Sequence, residues 1–152
     1  MYQSITLIHS SLRWLVLIAL IISIFRAARG YYWNKRFTKT DNLTRHWTAT
    51  IAHVQLMVGM TLYFQSPLVK YFLRNFKTAK ESIELLYFGL IHSVVMLLAI
   101  VLLTVGSALA KRQSIDRDKF RTMFIWYTAA FIIIIMIVPW PFSPLAQRPY
   151  FR

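Results

Sequence analysis

Cysteine is absent from the 152 residues of this chain. That absence removes disulfides, thiol catalysis, iron–sulfur clusters and covalent c-type haem attachment together. Carboxylates are nearly as scarce: 5 Asp and Glu stand against 18 Lys and Arg, for a formal net charge of +13. None of the five lies at the centre of an apolar run, which argues against a carboxylate-lined proton or cation path through a membrane. Charged residues of both signs make up only 15% of the chain, against about 25% in a soluble domain. So few charges do not coat a water-exposed globule. No Ser-His-Asp constellation, P-loop or Gly-rich nucleotide loop is present, which argues against an autonomous hydrolase or a nucleotide-driven pump.

What is abundant is apolar: 57% of the residues are hydrophobic and 16% aromatic. Four segments approach the roughly 20 apolar residues that a membrane-spanning helix needs, at about residues 5–25, 47–64, 83–108 and 124–140. The connections between them are short and polar, and short connections favour antiparallel neighbours. The sequence therefore predicts an all-α fold, an integral membrane four-helix up-down bundle forming one transmembrane domain over residues 1–152. Met1-Tyr2-Gln3-Ser4 carries no positive n-region, so the first segment is expected to be a retained helix rather than a cleaved signal.

In a soluble protein a charge of +13 would suggest nucleic-acid binding. Here the basic residues lie between apolar runs, so no nucleic acid is expected and the partner is the lipid bilayer. The first connection holds Arg26, Arg29, Lys35, Arg36, Lys39 and Arg45, and the third holds Lys111, Arg112, Arg117, Lys119 and Arg121. The opposite side has Lys70, Arg74, Lys77, Lys80, Arg148 and Arg152. That is 11 against 6, and the positive-inside rule puts the richer side in the cytoplasm and both termini on the non-cytoplasmic side. Tyr31, Tyr32 and Trp33 on one side, and Tyr71, Phe72, Trp140, Phe142, Tyr150 and Phe151 on the other, are expected as interfacial belts. Residues 67–80 are expected to form a short interfacial helix, with Leu68, Tyr71, Phe72 and Phe76 at helical spacing.

Ionisable groups inside a span are costly and usually functional. They are His9, Arg13, His53 and His92, with His46 at a boundary. At about 1.5 Å of rise per residue, His9 lies about 9 Å and His92 about 7–8 Å from the midpoints of their spans, towards the same side. Two imidazoles at one depth can hold a haem iron between them. Gly89, His92, Met96 and Ala99 recur at three- and four-residue spacing, so they are expected to share a face on which Gly89 leaves room for a macrocycle. Arg13 follows His9 by four residues and is placed to neutralise a propionate. A purely structural polar contact for the histidines, and snorkelling of Arg13 to the interface, are the plainer alternatives. His53, nearer the middle of the second span with Thr50, Met57 and Met60 on its face, is the alternative axial ligand, a proton relay or part of a second site. His46 reads as an ordinary interfacial residue. Met57, Met60, Met96 and Met136 read as buried core filler. Met57 and Met60 form one Met-x-x-Met pair, a weak pointer to copper.

With spans and histidines placed, the chain resembles the short bacterial inner-membrane proteins labelled cytochrome b or cytochrome b-like. The likeness covers nearly the whole length: four spans, Leu-Ile-His-Ser-Ser-Leu-Arg-Trp at residues 7–14, and Gly-Leu-Ile-His-Ser at residues 89–93. It implies one haem b and electron transfer in a bacterial inner membrane, with His9 and His92 as axial ligands. His53 fits a three-histidine pattern too, so the pairing stays open. A fainter likeness is to copper-resistance and haem-synthase-type bundles. The expected function is a small b-type cytochrome, alone or as a subunit of a larger complex, passing electrons between a quinol pool or protein partner and another redox centre. It is an electron carrier rather than an autonomous enzyme. The competing readings are a cofactor-free accessory subunit of a respiratory or secretion assembly and a copper- or metal-handling membrane protein.

Overall fold

A computed structural model describes residues 2–143, and within them the chain is helical throughout, with no strand. Helix α1 spans Tyr2–Tyr32 and α2 spans Lys39–Gln65. Two short helices follow, α3 at Pro67–Arg74 and α4 at Phe76–Ala79. Next come α5 at Ile83–Leu86, a π-helical turn at Tyr87–Ile91, and α6 at His92–Arg112. These three form one continuous rod of 30 residues. Helix α7 spans Asp116–Ile137. Arg148, Arg152, Tyr150 and Phe151, which entered the charge and aromatic counts, lie outside the described residues.

The long helices close a ring. α1 packs on α2 and α7, and α6 packs on α7 and α2, so α1 and α6 stand across the diagonal. The seams are built from small residues: Ser23 and Ala27 of α1, Ala49 and Ala52 of α2, Ala99 and Ala110 of α6, and Ala130 of α7 are all buried. Small side chains let helix backbones approach where no hydrophobic gain separates helix from lipid. At Gly106 the approach is closest, because a Cβ there would collide with Cβ of Trp126 on α7. The outward faces carry Leu15, Ile18, Ile22, Leu97, Val101 and Ile132, each about half exposed. A continuous apolar exterior of this kind suits lipid rather than water.

Three helical stretches are long and apolar enough to cross a membrane: Tyr2–Tyr32, Ile83–Arg112 and Asp116–Ile137. The second expected span, α2, has the length at 27 residues but not the same apolarity. A count of charges misses this, because the polar residues of α2 beyond Arg45 carry no formal charge. Thr48 and Gln55 turn to neighbouring helices, and His53, though exposed, finds a partner on one. The Thr48 and Ser23 hydroxyls share a buried hydrogen bond of 2.7 Å, His53 Nε2 lies 2.9 Å from Thr104 Oγ1, and Gln55 Nε2 donates to the His9 carbonyl at 3.0 Å.

Arg45, counted among the loop charges, is buried. Its guanidinium donates to Asn42 Oδ1, Ser107 Oγ and the Ser107 carbonyl, while the Tyr127 hydroxyl donates to its own carbonyl at 2.7 Å. The cation thus ties α2 to α6 through neutral acceptors, and the Arg45 backbone carbonyl, accepting from Tyr127, ties it to α7. Two aromatics expected at the interface also turn inwards: Phe72 is fully buried and Trp140 packs on Trp14 at 5.7 Å. The segment expected as one interfacial helix is two, capped by Ser66 and broken at Asn75, with Val69 and Phe72 facing in and Tyr71 and Phe76 facing out.

Candidate functional site

Two of the four histidines, His9 and His92, lie towards the end of the ring away from the α1–α2 connection. His9 comes from the second turn of α1. Its neighbour α2 approaches closely at Gly59, where a Cβ would stand 3.1 Å from His9 Cε1. One turn earlier on α2, Gln55 binds the His9 carbonyl and lies 3.4 Å from His9 Nε2. Gln55 is thereby oriented by the backbone of α1 while its amide meets the imidazole. His9 Nδ1 and Gln55 Oε1 are buried with no hydrogen-bond partner among the described residues. Such orphaned atoms cost about 1–3 kcal/mol each, so they are expected only where something else repays the loss.

His92 opens α6, immediately after the π-helical turn. In an α-helix residues i and i+5 face apart. The π turn, closed by a bond from the His92 N–H to the Tyr87 carbonyl, brings the Tyr87 ring to 5.6 Å from the His92 ring and the Tyr87 hydroxyl to 3.4 Å from His92 Nδ1. Tyr87 also donates to the Ile137 carbonyl at the end of α7. Ile137 is available because the helix ends there and leaves its last carbonyls without intrahelical donors. π turns inside α-helices are frequent at functional sites.

His9 and Arg13 of α1 and His92 and Tyr87 of the facing rod lie towards the same end of the molecule. The Arg13 guanidinium lies 5.6 Å from the ring centres of both Trp14 and Trp140, which are themselves 5.7 Å apart, so the cation flanks a packed aromatic pair. The aromatic pair gives the half-buried cation a partner on the protein.

The remaining candidates are elsewhere. His53 is exposed on the outer side of α2 and bonded to Thr104 of α6. His46 is exposed at the other end of α2 beside Trp47. Gly89 is buried but gives no room beside His92. The π turn takes it off the His92 face, the Phe72 ring occupies the space a Cβ would need, and its carbonyl accepts from Tyr63 at 2.8 Å. Met57, Met60 and Met136 are exposed rather than buried, with only Met96 packed on the core, so no thioether cluster forms. Among the described residues no group of three or more His, Asp or Glu could hold a metal ion.

Gln55, Gly59, Tyr87 and Trp140 were not singled out from the sequence. Gln55 carried a signal, being an amide within the charge-free run 46–69. Tyr87 carried none, since its place beside His92 exists only through the π turn. No known protein family, curated protein or solved structure matches the chain.

Proposed function

We propose that this protein is a small b-type cytochrome, a four-span bundle with both termini outside a bacterial inner membrane, that carries electrons alone or within a larger complex. The observation that supports the reading most is that His9 and His92 lie towards the same end of two diagonally opposed helices, the His9 ring carrying a buried nitrogen with no partner among the described residues. The donor set suits a haem: two imidazoles, one of them with an orphaned buried ring nitrogen, and a half-buried guanidinium. His9 and His92 would hold the iron, and Arg13 would meet a propionate. Bound haem supplies a one-electron couple at the iron. The chain's own contribution is orientation and charge. Tyr87 sets the tautomer and angle of His92, and Gln55 does the same for His9. The surrounding apolar helices keep water from the site.

The test is a visible spectrum of the purified, dithionite-reduced protein. A b-type α band, lost in both His9→Ala and His92→Ala, is expected. A wild type without that band ends the cytochrome reading. Orientation is tested separately: a cysteine introduced at Ser114, between α6 and α7, should resist an impermeant thiol reagent applied to intact cells. A cofactor-free accessory subunit is the second reading, favoured by the histidine contacts that already serve helix packing, His53 with Thr104 and His9 with Gln55.

A further inference from the structure

At the opposite end of the molecule, where α1 ends and α2 begins, a depression of about 200 Å³ is lined by Arg26, Arg29, Gly30, Lys35, Arg36 and Asp41. Four cations here face one carboxylate, and that carboxylate is fully engaged. Asp41 Oδ1 accepts from Arg26 Nε at 3.0 Å and from Arg26 Nη2 at 2.6 Å. Asp41 Oδ2 accepts from the Thr38 N–H at 2.9 Å and the Thr38 hydroxyl at 2.6 Å. Each oxygen already has two donors, so Asp41 pairs with Arg26 and has no lone pair left for the others. Among the described residues the ion pairs are Arg26–Asp41 and Lys119–Asp116, and neither uses Arg29, Lys35 or Arg36. Lys35 lies 6.0 Å from the Trp33 ring centre, and Arg36 acts weakly on the Asp116 carboxylate.

The depression is built rather than incidental. Its floor is the Phe120 ring of α7, pressed so closely on Gly30 that a Cβ there would stand 2.5 Å from it. One wall is the last turn of α1. The other is the capped start of α2, where Thr38 and Asp41 form a capping box and the helix dipole adds positive potential. The backbone between them is set by Asn34 in a left-handed conformation, at φ 47°, and by a bond from the Lys35 N–H to the Gly30 carbonyl at 3.0 Å. Tyr32 and Trp33, both more than half exposed, lie at the same level, as aromatic residues do at the headgroup layer.

We infer that this depression is a binding site for a single phosphate group, with Arg29, Lys35 and Arg36 as its ligands and the Arg26–Asp41 pair as its fixed wall. Guanidinium forks match phosphate oxygens in geometry, and three unneutralised cations around one hollow repel each other until an anion enters. The phosphate belongs to an anionic phospholipid headgroup or to a free phosphate in the adjoining aqueous phase, and the two are separated by experiment.

The full-length protein in uncharged detergent is titrated with phosphatidylglycerol, phosphatidylcholine or inorganic phosphate, and bound species are counted by native mass spectrometry. One phosphatidylglycerol should bind in preference to phosphatidylcholine. The variant Arg29→Gln/Lys35→Gln/Arg36→Gln should weaken this by about tenfold or more. The charge-matched control Lys111→Gln/Arg112→Gln/Arg121→Gln, at the same end of the bundle but outside the depression, should bind like the wild type. Binding of inorganic phosphate alone, with the same dependence on the three residues, assigns the site to free phosphate instead. Arg36→Gln by itself, a change in an exposed loop, guards against misfolding of the triple variant and should weaken binding in the same direction. Equal losses in the two triple variants, or wild-type binding in the pocket variants, would overturn the site.

Discussion

Gln55 on α2 donates to the backbone carbonyl of His9 on α1 at 3.0 Å, and the same nitrogen lies 3.4 Å from the His9 ring. The contact joins the least apolar long helix to the one carrying the first candidate ligand, and it explains why a glutamine is tolerated in α2. Replacing Gln55 with Leu should destabilise the bundle by about 0.6–1.7 kcal/mol, the range of interhelical hydrogen bonds in membranes. Equilibrium unfolding in mixed micelles reads this directly. A stability equal to or above wild type would mean that the contact contributes nothing.

The four histidines should separate cleanly. His92→Ala and His9→Ala are each expected to lose the reduced haem spectrum, because both residues lie towards the same end of facing helices. His53→Ala and His46→Ala should keep it, since both are exposed and His53 is taken up by Thr104. Loss of the band on replacing His53, with retention on replacing His9, would move the axial pair to His53 and His92.

Arg13 sits beside the packed pair Trp14 and Trp140, at 5.6 Å from each ring centre. Arg13→Leu should lower the midpoint potential of the bound haem, because losing a nearby positive charge favours the more positive ferric iron. A redox titration followed at the α band measures the shift. An unchanged potential with full haem content would show that the guanidinium does not sense the cofactor.

Gly106→Ala tests the α6–α7 seam. The added methyl would meet Cβ of Trp126, the base of a side chain that cannot swing aside without moving α7. Overpacking of this kind costs about 1–3 kcal/mol, and thermal unfolding in detergent should show a clear loss. Gly59→Ala, facing the His9 ring at 3.1 Å, should be milder, because an imidazole can rotate.

Asp41 sets an acid limit. Burial pushes its carboxyl up, but the Thr38 hydroxyl, the Thr38 N–H and Arg26 outweigh that and hold it below the ordinary value of 3.8. A carboxyl with a depressed folded pKa contributes stability above its unfolded pKa and loses it as pH falls through the folded value. Stability should therefore decline below about pH 4. Asp41→Asn should be less stable at neutral pH and show a shallower acid decline, as followed by unfolding midpoints between pH 7 and pH 3.

Helices and apolar surface were legible along the chain, since apolar runs at 5–25, 83–108 and 124–140, broken only by Arg13 and Glu84 among charged residues, have few places to go other than lipid-facing helices. His9, Arg13 and His92 stood out for the same reason: an ionisable group in an apolar run is conspicuous without any coordinates. Sequence by itself determined these because they follow from solvent transfer, a property of each segment alone. Tertiary structure decided what depends on rotation about a helix axis and on contact between helices. The π turn took Gly89 off the His92 face and brought Tyr87 onto it. Helix ends made the Ile137 carbonyl an acceptor, close packing turned Phe72 and Trp140 inwards, and α2 found partners for its neutral polar residues in Ser23, Thr104 and His9. A one-residue change of phase within a helix leaves composition and hydropathy almost untouched, yet it moves every later side chain to a different neighbour.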